Sequence, residues 1–289
     1  MVRDELMGVR GVAKKLKLRK TSIELGKRTL LMGILNITPD SFSGDGIYED
    51  PRRAVERALR MVKEGASIVD VGGESTRPRS EPVNAKEELR RVIPVVKGLV
   101  ERNVPIAVDT YKPEVAREVL KLGADIINDI TGLKNPKMAG LIADYEAGVV
   151  IMHMKGEPKT MQDNPSYERD VMGEVRDFLA SRIVAAEDAG INPESIIIDP
   201  GIGFGKTIDH NLEIIRNLAS LKDLSKPIMV GPSRKSFIGK ILDLPVGQRL
   251  EGTLATVVAS IMNGADIVRV HDVQECDRAI RITDALIRS

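Results

Sequence analysis

Residues 33–43 read GILNITPDSFS. The stretch 30–35 is a short apolar run, the pattern of a strand covered on both faces. It stops abruptly at Asn36, Thr38, Asp40 and Ser41, with Pro39 between them. An apolar strand that delivers hydrogen-bonding groups at its C-terminal end is how α/β proteins build sites. The rest of the chain repeats this arrangement, and the number of repeats decides the fold.

After a loop over 36–50, Val55, Ala58, Leu59 and Val62 fall at helical spacing. Further short apolar runs lie at 67–71, 104–108, 125–127, 148–152, 195–198, 227–230 and 266–270. In the same order they run into Asp70, Asp109, Asn128 with Asp129, His153, Asp199, and then Ser233 to Lys235. The last run carries Arg269 and ends at His271. Helical patterns separate most of these runs, as at 84–102 and 113–123, and a final helix extends to about 287. Eight strand-then-helix units of roughly 35 residues predict an α/β fold of the (β/α)8 TIM-barrel type. An open doubly wound sheet would concentrate its chemistry at one or two switch points instead. The expectation is one domain over 1–289, with 1–17 weakly patterned. The runs 21–25 and 29–33 flank Gly26-Lys27, which predicts an N-terminal β-hairpin at the bottom of the barrel.

Composition narrows the function. Of 289 residues, 42% are apolar and 29% charged, enough to bury a large core. A net charge of +1 and 3% aromatics point to neither nucleic acid nor a membrane surface as partner. Cys276 is the one cysteine, which excludes an internal disulfide and suits a reducing cytoplasm. No apolar run of signal-peptide or membrane-spanning length is present.

The strand ends hold the candidate chemistry. Asp109, Asn128 and Asp199 each follow a strand with no polar residue nearer its core, so all three should face the barrel mouth. With no balancing cluster of cations, they read as acceptors for a donor-rich heterocycle. Asn36 and Asp40 could hold a hard cation such as Mg²⁺ or simply form a turn. The 72–80 loop, GGESTRPRS, offers Arg77 as a fork for phosphate or carboxylate, stiffened by Pro78. Ser233, Arg234, Lys235 and Ser236 share one short loop, and Arg269 and His271 alternate on one strand face. Together they suit a polyanion. GIGFGK at 201–206 has the spacing of neither nucleotide motif and reads as a glycine-rich turn, with Phe204 available to flank a ring. His153 has no metal-ligand partner and reads as structural.

The motifs GILNITPDSFS, DVGGESTRP, VDTYKPEVA, INDITG, MHMKG, IIIDPGIGFGKT, GPSRKSFIG, RLEGTLA and IVRVHDV occur in this order. From about residue 20 the chain resembles the dihydropteroate synthases, a family of pterin-binding TIM barrels. The resemblance implies condensation of 6-hydroxymethyl-7,8-dihydropterin pyrophosphate with p-aminobenzoate, giving 7,8-dihydropteroate and pyrophosphate. It also implies a Mg²⁺ cofactor and a homodimer. By the same resemblance Asp109, Asn128, Asp199 and Lys235 bind the pterin edge, and Met152 and Phe204 flank its ring. Asn36, Arg269 and His271 serve pyrophosphate, Asn36 and Asp40 the metal, and Phe42, Thr76, Arg77, Pro78 and Ser236 the amine. The catalytic set implied is Asp40, Asp109, Asp199, Lys235, Arg269 and His271. Arg79 and Asp45 depart from the family's loop pattern, so a ribosylated aminobenzene of methanopterin synthesis stays open as the amine. Two further alternatives are a methyltetrahydrofolate:corrinoid methyltransferase and a non-catalytic pterin-binding protein.

Overall fold

The computed structural model describes residues 15–38, 50–75 and 80–288. Its first element is a hairpin in which β1 (Lys15–Lys17) pairs antiparallel with β2 (Ser22–Glu24). This corrects the predicted pairing. The partner is the stretch 15–17, which reads as unpatterned, and the turn falls at 18–21, where the Leu18 N–H donates to Thr21 O at 2.8 Å. Burial explains the choice, because Leu16, Leu18 and Leu25 are all covered by the lower end of the barrel. Gly26, with φ +94°, is instead the corner between the hairpin and the first barrel strand.

The barrel strands are β3 (Leu30–Asn36), β4 (Ile68–Gly72), β5 (Ile106–Asp109), β6 (Ile126–Asp129), β7 (Gly148–Met152), β8 (Ile196–Asp199), β9 (Met229–Val230) and β10 (Ile267–Val270). Each lies parallel to its neighbour in chain order, and β10 pairs with both β9 and β3. The ring closes where Ile198 bridges Ile228. Among the described residues a helix follows every strand: α1 (Pro51–Lys63), α2 (Ala85–Val100), α3 (Pro113–Leu122), α4 (Pro136–Asp144), α5 (Val171–Asp188) and α6 (Ile208–Arg216). After β9 come α7 (Ser236–Leu242) and α8 (Leu250–Met262), and α9 (Val273–Ile287) ends the chain. The eight-unit barrel with its N-terminal hairpin is therefore the observed architecture.

Local chemistry starts several helices. Asp50 accepts from the Arg52 N–H at 2.9 Å, and Asn84 accepts from the Glu87 N–H at 2.9 Å. Two helices are not visible as patterns in the sequence, α4 and α7. Both are too short to show full periodicity, although Asn135 and Pro136 are a sound start signal for α4.

Two apolar layers form the core. One lies between strands and helices. The other fills the lower bore, where Leu16, Leu18 and Leu25 at the hairpin meet inward residues of the barrel strands, Leu30 and Met32 from β3 and one from each of the others, including Ile68, Ala107, Ile126 and Ile197. Burying Leu16 completely contributes about 1.5–3 kcal/mol. The bottom is thus plugged with hydrocarbon, and the upper end is left for polar side chains. Among the described residues no helix is long and apolar enough to cross a membrane.

Candidate active site

Side chains two apart on a strand share a face. One step up from the apolar plug, the inward series therefore changes character: Ile68 gives way to Asp70, Ala107 to Asp109, Ile126 to Asn128, Ile197 to Asp199 and Ile267 to Arg269. Five strands thus turn polar toward their C-terminal ends. Strand register pairs Asp109 with Asn128, whereas Asp70 stands one step lower, opposite Ala107.

The expected absence of balancing cations does not hold. Arg269 crosses the bore, with Nε 2.6 Å from Asp70 Oδ2 and Nη2 2.8 Å from Asp109 Oδ2. Its position on β10 points the long side chain inward, which strand alternation shows, but its reach across the barrel is a tertiary fact. Burial works against the Arg269 charge, and Asp70 and Asp109 overcome it, so its pKa is raised. Burial also pushes the Asp109 carboxyl up to about 7, with Arg269 opposing. Asp199 is raised by burial too, while the N–H of Gly201 donates to its Oδ1 at 2.7 Å. Asn128 Nδ2 donates to Asp70 Oδ2 at 2.9 Å. Asp70 Oδ1 and Asn128 Oδ1 are buried with no hydrogen-bond partner. Buried acceptors left open in this way are unusual and mark a place where a donor-bearing ligand gains.

Above this layer a cavity of about 340 Å³ opens at the C-terminal ends of the strands. Asn36, Asp109, Phe204, Lys235, Ser236, Arg269 and His271 are among the residues that line it. Asn128, Met152 and Asp199 are buried and lie outside its open part. Met152 and Phe204 belong to one apolar cluster with Ile130, Met154 and Met161. Lys235 Nζ sits 4.0 Å from the centre of the Phe204 ring. Ser233 Oγ lies 2.9 Å from His271 Nδ1 and accepts from the His271 backbone N–H at 3.2 Å. Asp40, Phe42, Thr76, Arg77 and Pro78 lie outside the described residues.

The glycine-rich turn is a scaffold, as expected. Gly201, Gly203 and Gly205 all have positive φ. A Cβ on Gly201 would collide with the His153 carbonyl oxygen, and one on Gly205 with that of Lys155. Beneath the turn Lys206 is buried, its Nζ 3.0 Å from both Phe204 O and His153 Nδ1. Burial lowers the Lys206 pKa to about 7. Burial, then Lys206, lowers that of His153 to about 2, so this imidazole is neutral. His153 meets Phe178 edge to face at 5.0 Å, in keeping with a structural role.

Sequence reasoning missed two residues here. Asp70 holds Arg269, and its signal was the inward series 68, 70, 72 on β4. Glu74 lines the cavity, accepts a hydrogen bond from the Tyr111 hydroxyl at 2.8 Å and is ion-paired to Lys112. Lys112 also pairs with buried Glu88 at 2.5 Å. Nothing local in the sequence marks that network.

A family model described as pterin binding enzyme matches residues 32–271. A dihydropteroate synthase of Synechocystis is 48% identical over 272 residues, covering 93% of this chain and 94% of the relative. The chain belongs to the dihydropteroate synthase family. Solved members superpose closely. A Clostridium difficile dihydropteroate synthase crystallised in the presence of pteroic acid gives a TM-score of 0.86 at 49% identity, covering 92% of this chain and 100% of that one. The Thermus thermophilus dihydropteroate synthase in complex with 4-aminobenzoate gives 0.85 at 41% identity, covering 94% and 100%. A corrinoid methyltransferase is thereby set aside as the chain's kinship, and the chain is a transferase of folate synthesis.

Proposed function

We propose that this chain joins 6-hydroxymethyl-7,8-dihydropterin pyrophosphate to p-aminobenzoate at the upper end of the barrel. The observation that carries the assignment of residues is the layered bore. Open acceptors lie deep, at Asp70 and Asn128 near buried Asp199, Arg269 links this layer to the cavity, and Lys235 and His271 line the cavity above it. A pterin presents an amino group and ring N–H donors to the deep layer and its pyrophosphate to the rim. Asp109 and Asp199 accept the donors, Asn128 and Lys235 donate to the ring acceptors, and Met152 and Phe204 flank the ring.

In the reaction the methylene C–O bond breaks and its electron pair leaves with pyrophosphate. The amine lone pair forms the new C–N bond, and the amine then loses a proton. Arg269, His271 and Asn36 stabilise the leaving group, and the buried carboxylates stabilise positive character on the ring and methylene. The aryl amine is neutral near pH 7, so no strong base and no covalent enzyme intermediate is required. Ser236, at the start of α7, receives the amine's carboxylate, together with Phe42, Thr76, Arg77 and Pro78.

Mg²⁺ fits this site only in part through the protein. Among the described residues no cluster of three acidic, histidine or cysteine side chains exists to cage a metal. Asn36 supplies one oxygen to the cavity, and a hard ion that keeps water and phosphate ligands needs few more. Asn36 and Asp40 are the proposed protein ligands, and the ion would add positive charge against the pyrophosphate oxygens. We further propose a homodimer, supported by exposed Met262, Ile282 and Leu286 on α8 and α9. The proposed compartment is the cytoplasm, in keeping with Cys276, a single buried cysteine whose thiol burial pushes up to about 12.

The test supplies the pterin pyrophosphate with either p-aminobenzoate or a phosphoribosyl aminobenzene and follows pyrophosphate release. Release with p-aminobenzoate is expected. Release only with the ribosylated amine would move the chain to the methanopterin branch, and pterin binding without release would sink the catalytic assignment.

A further inference from the structure

The turn that carries Lys235 is backed by residues that have no part in the chemistry above. Arg234 has φ +57°, a left-handed conformation that a bulky residue adopts only when its surroundings impose it. Three side chains from two other elements impose it here. The Arg234 N–H donates to Thr253 Oγ1 on α8 at 3.1 Å. Its guanidinium forms a two-pronged pair with Asp272, with Nε donating to Oδ2 at 2.9 Å and Nη2 to Oδ1. Arg249, at the start of α8, donates from Nη1 to Arg234 O at 3.0 Å and to Lys235 O at 3.3 Å, and from Nε to Leu244 O at 3.1 Å.

The glycines of α7 and α8 point the same way. A Cβ on Gly239 would collide with the Arg249 guanidinium, and one on Gly252 with the Ile238 side chain. Gly239 therefore leaves the space that the guanidinium occupies on its way to the turn, and Gly252 lets α7 and α8 pack closely beside it. On the far side, Gly203 makes room for the Lys235 stem, whose Cδ would lie 2.9 Å from a Cβ there. The conformation of Lys235 is thus defined from both ends: backbone by Arg249, side chain by the 201–205 turn and Phe204.

We propose that Arg249, supported by Thr253 and Asp272, is a positioning residue for the reaction: it fixes the 233–235 turn so that Lys235 stays over Phe204 and meets the pterin. This gives the RLEGT stretch, 249–253, a task that its sequence alone does not suggest. The assignment rests on the proposed role of Lys235. Lysine at position 249 would keep the charge but not the planar fork that reaches several carbonyls at once.

The experiment is a double-mutant cycle of Arg249→Gln and Lys235→Ala, read by calorimetric pterin affinity and by separate KM values for the two substrates. Alone, Arg249→Gln should weaken pterin binding about tenfold or more, with the amine KM nearly unchanged. In the Lys235→Ala background it should add less than about twofold, because the group it positions is gone. Equal losses in both backgrounds, or a loss confined to the amine KM, would overturn the proposal. Circular dichroism and thermal melting check that each variant folds. If Arg249→Gln does not fold, Asp272→Asn carries the same cycle. A wild type that binds no pterin would instead defeat the functional assignment. Amide exchange over 232–239 then still reads the clamp, with faster exchange in Arg249→Gln expected and unchanged exchange contradicting it.

Discussion

Asp70 and Arg269 illustrate how single residues carry this site. Asp70 is fully buried, and its carboxylate meets the Arg269 guanidinium and the Asn128 amide at once. Asp70→Ala leaves Arg269 with Asp109 as its remaining carboxylate and takes the acceptor from the Asn128 amide, so it should lower the unfolding free energy by about 3 kcal/mol, measured by urea titration. Asp70→Asn, which keeps an oxygen acceptor, should lose less. His153 makes a second residue-level prediction. Its pKa is about 2 when folded and 6.5 when unfolded. Between those values the unfolded chain binds more protons, so the stability due to neutral His153 is full above 6.5 and is lost as pH falls. Unfolding titrations between pH 6.5 and 5 should show a contribution of up to about 1.4 kcal/mol per pH unit that disappears in His153→Gln. Parallel slopes in wild type and variant would contradict a buried neutral imidazole.

At the scale of elements, the strand ends were legible because three signals coincide. Each strand is short, each is apolar nearly throughout, and each meets polar residues at the same end. Asp109, Asn128 and Asp199 were visible for that reason; Asp109 stands opposite Asn128, and Asp199 ends β8. Arg269 was visible as an inward residue, but its pairing with Asp70 and Asp109 joins residues 199 and 160 positions apart and has no local signature. The hairpin partner failed for a related reason. Three residues at 15–17 carry too little pattern, and burial of Leu16 by the barrel decides the pairing. The 201–206 turn offers the test at this scale. Gly201→Ala places a Cβ against the His153 carbonyl in a positive-φ position, so it should displace Phe204 and raise the pterin KM as well as cost stability. A wild-type pterin KM in Gly201→Ala would show that the turn does not set the ring pocket.

Over the whole molecule, stability and chemistry occupy opposite ends of one barrel. The hairpin plug of Leu16, Leu18 and Leu25 never approaches the cavity residues, and its cluster shares no member with them. Leu16→Ala should therefore cost about 2–5 kcal/mol in a denaturant titration while leaving both KM values unchanged. At the other end, buried acceptors bridged by Arg269, with Lys235 and His271 lining the cavity above them, are what the proposed reaction uses. The most direct measurement is steady-state pyrophosphate release from the pterin pyrophosphate and p-aminobenzoate by the wild type, Lys235→Ala and Arg269→Ala, each confirmed as folded by circular dichroism. The account predicts turnover by the wild type and loss of most of it in both variants. Near-normal turnover in either folded variant would contradict it.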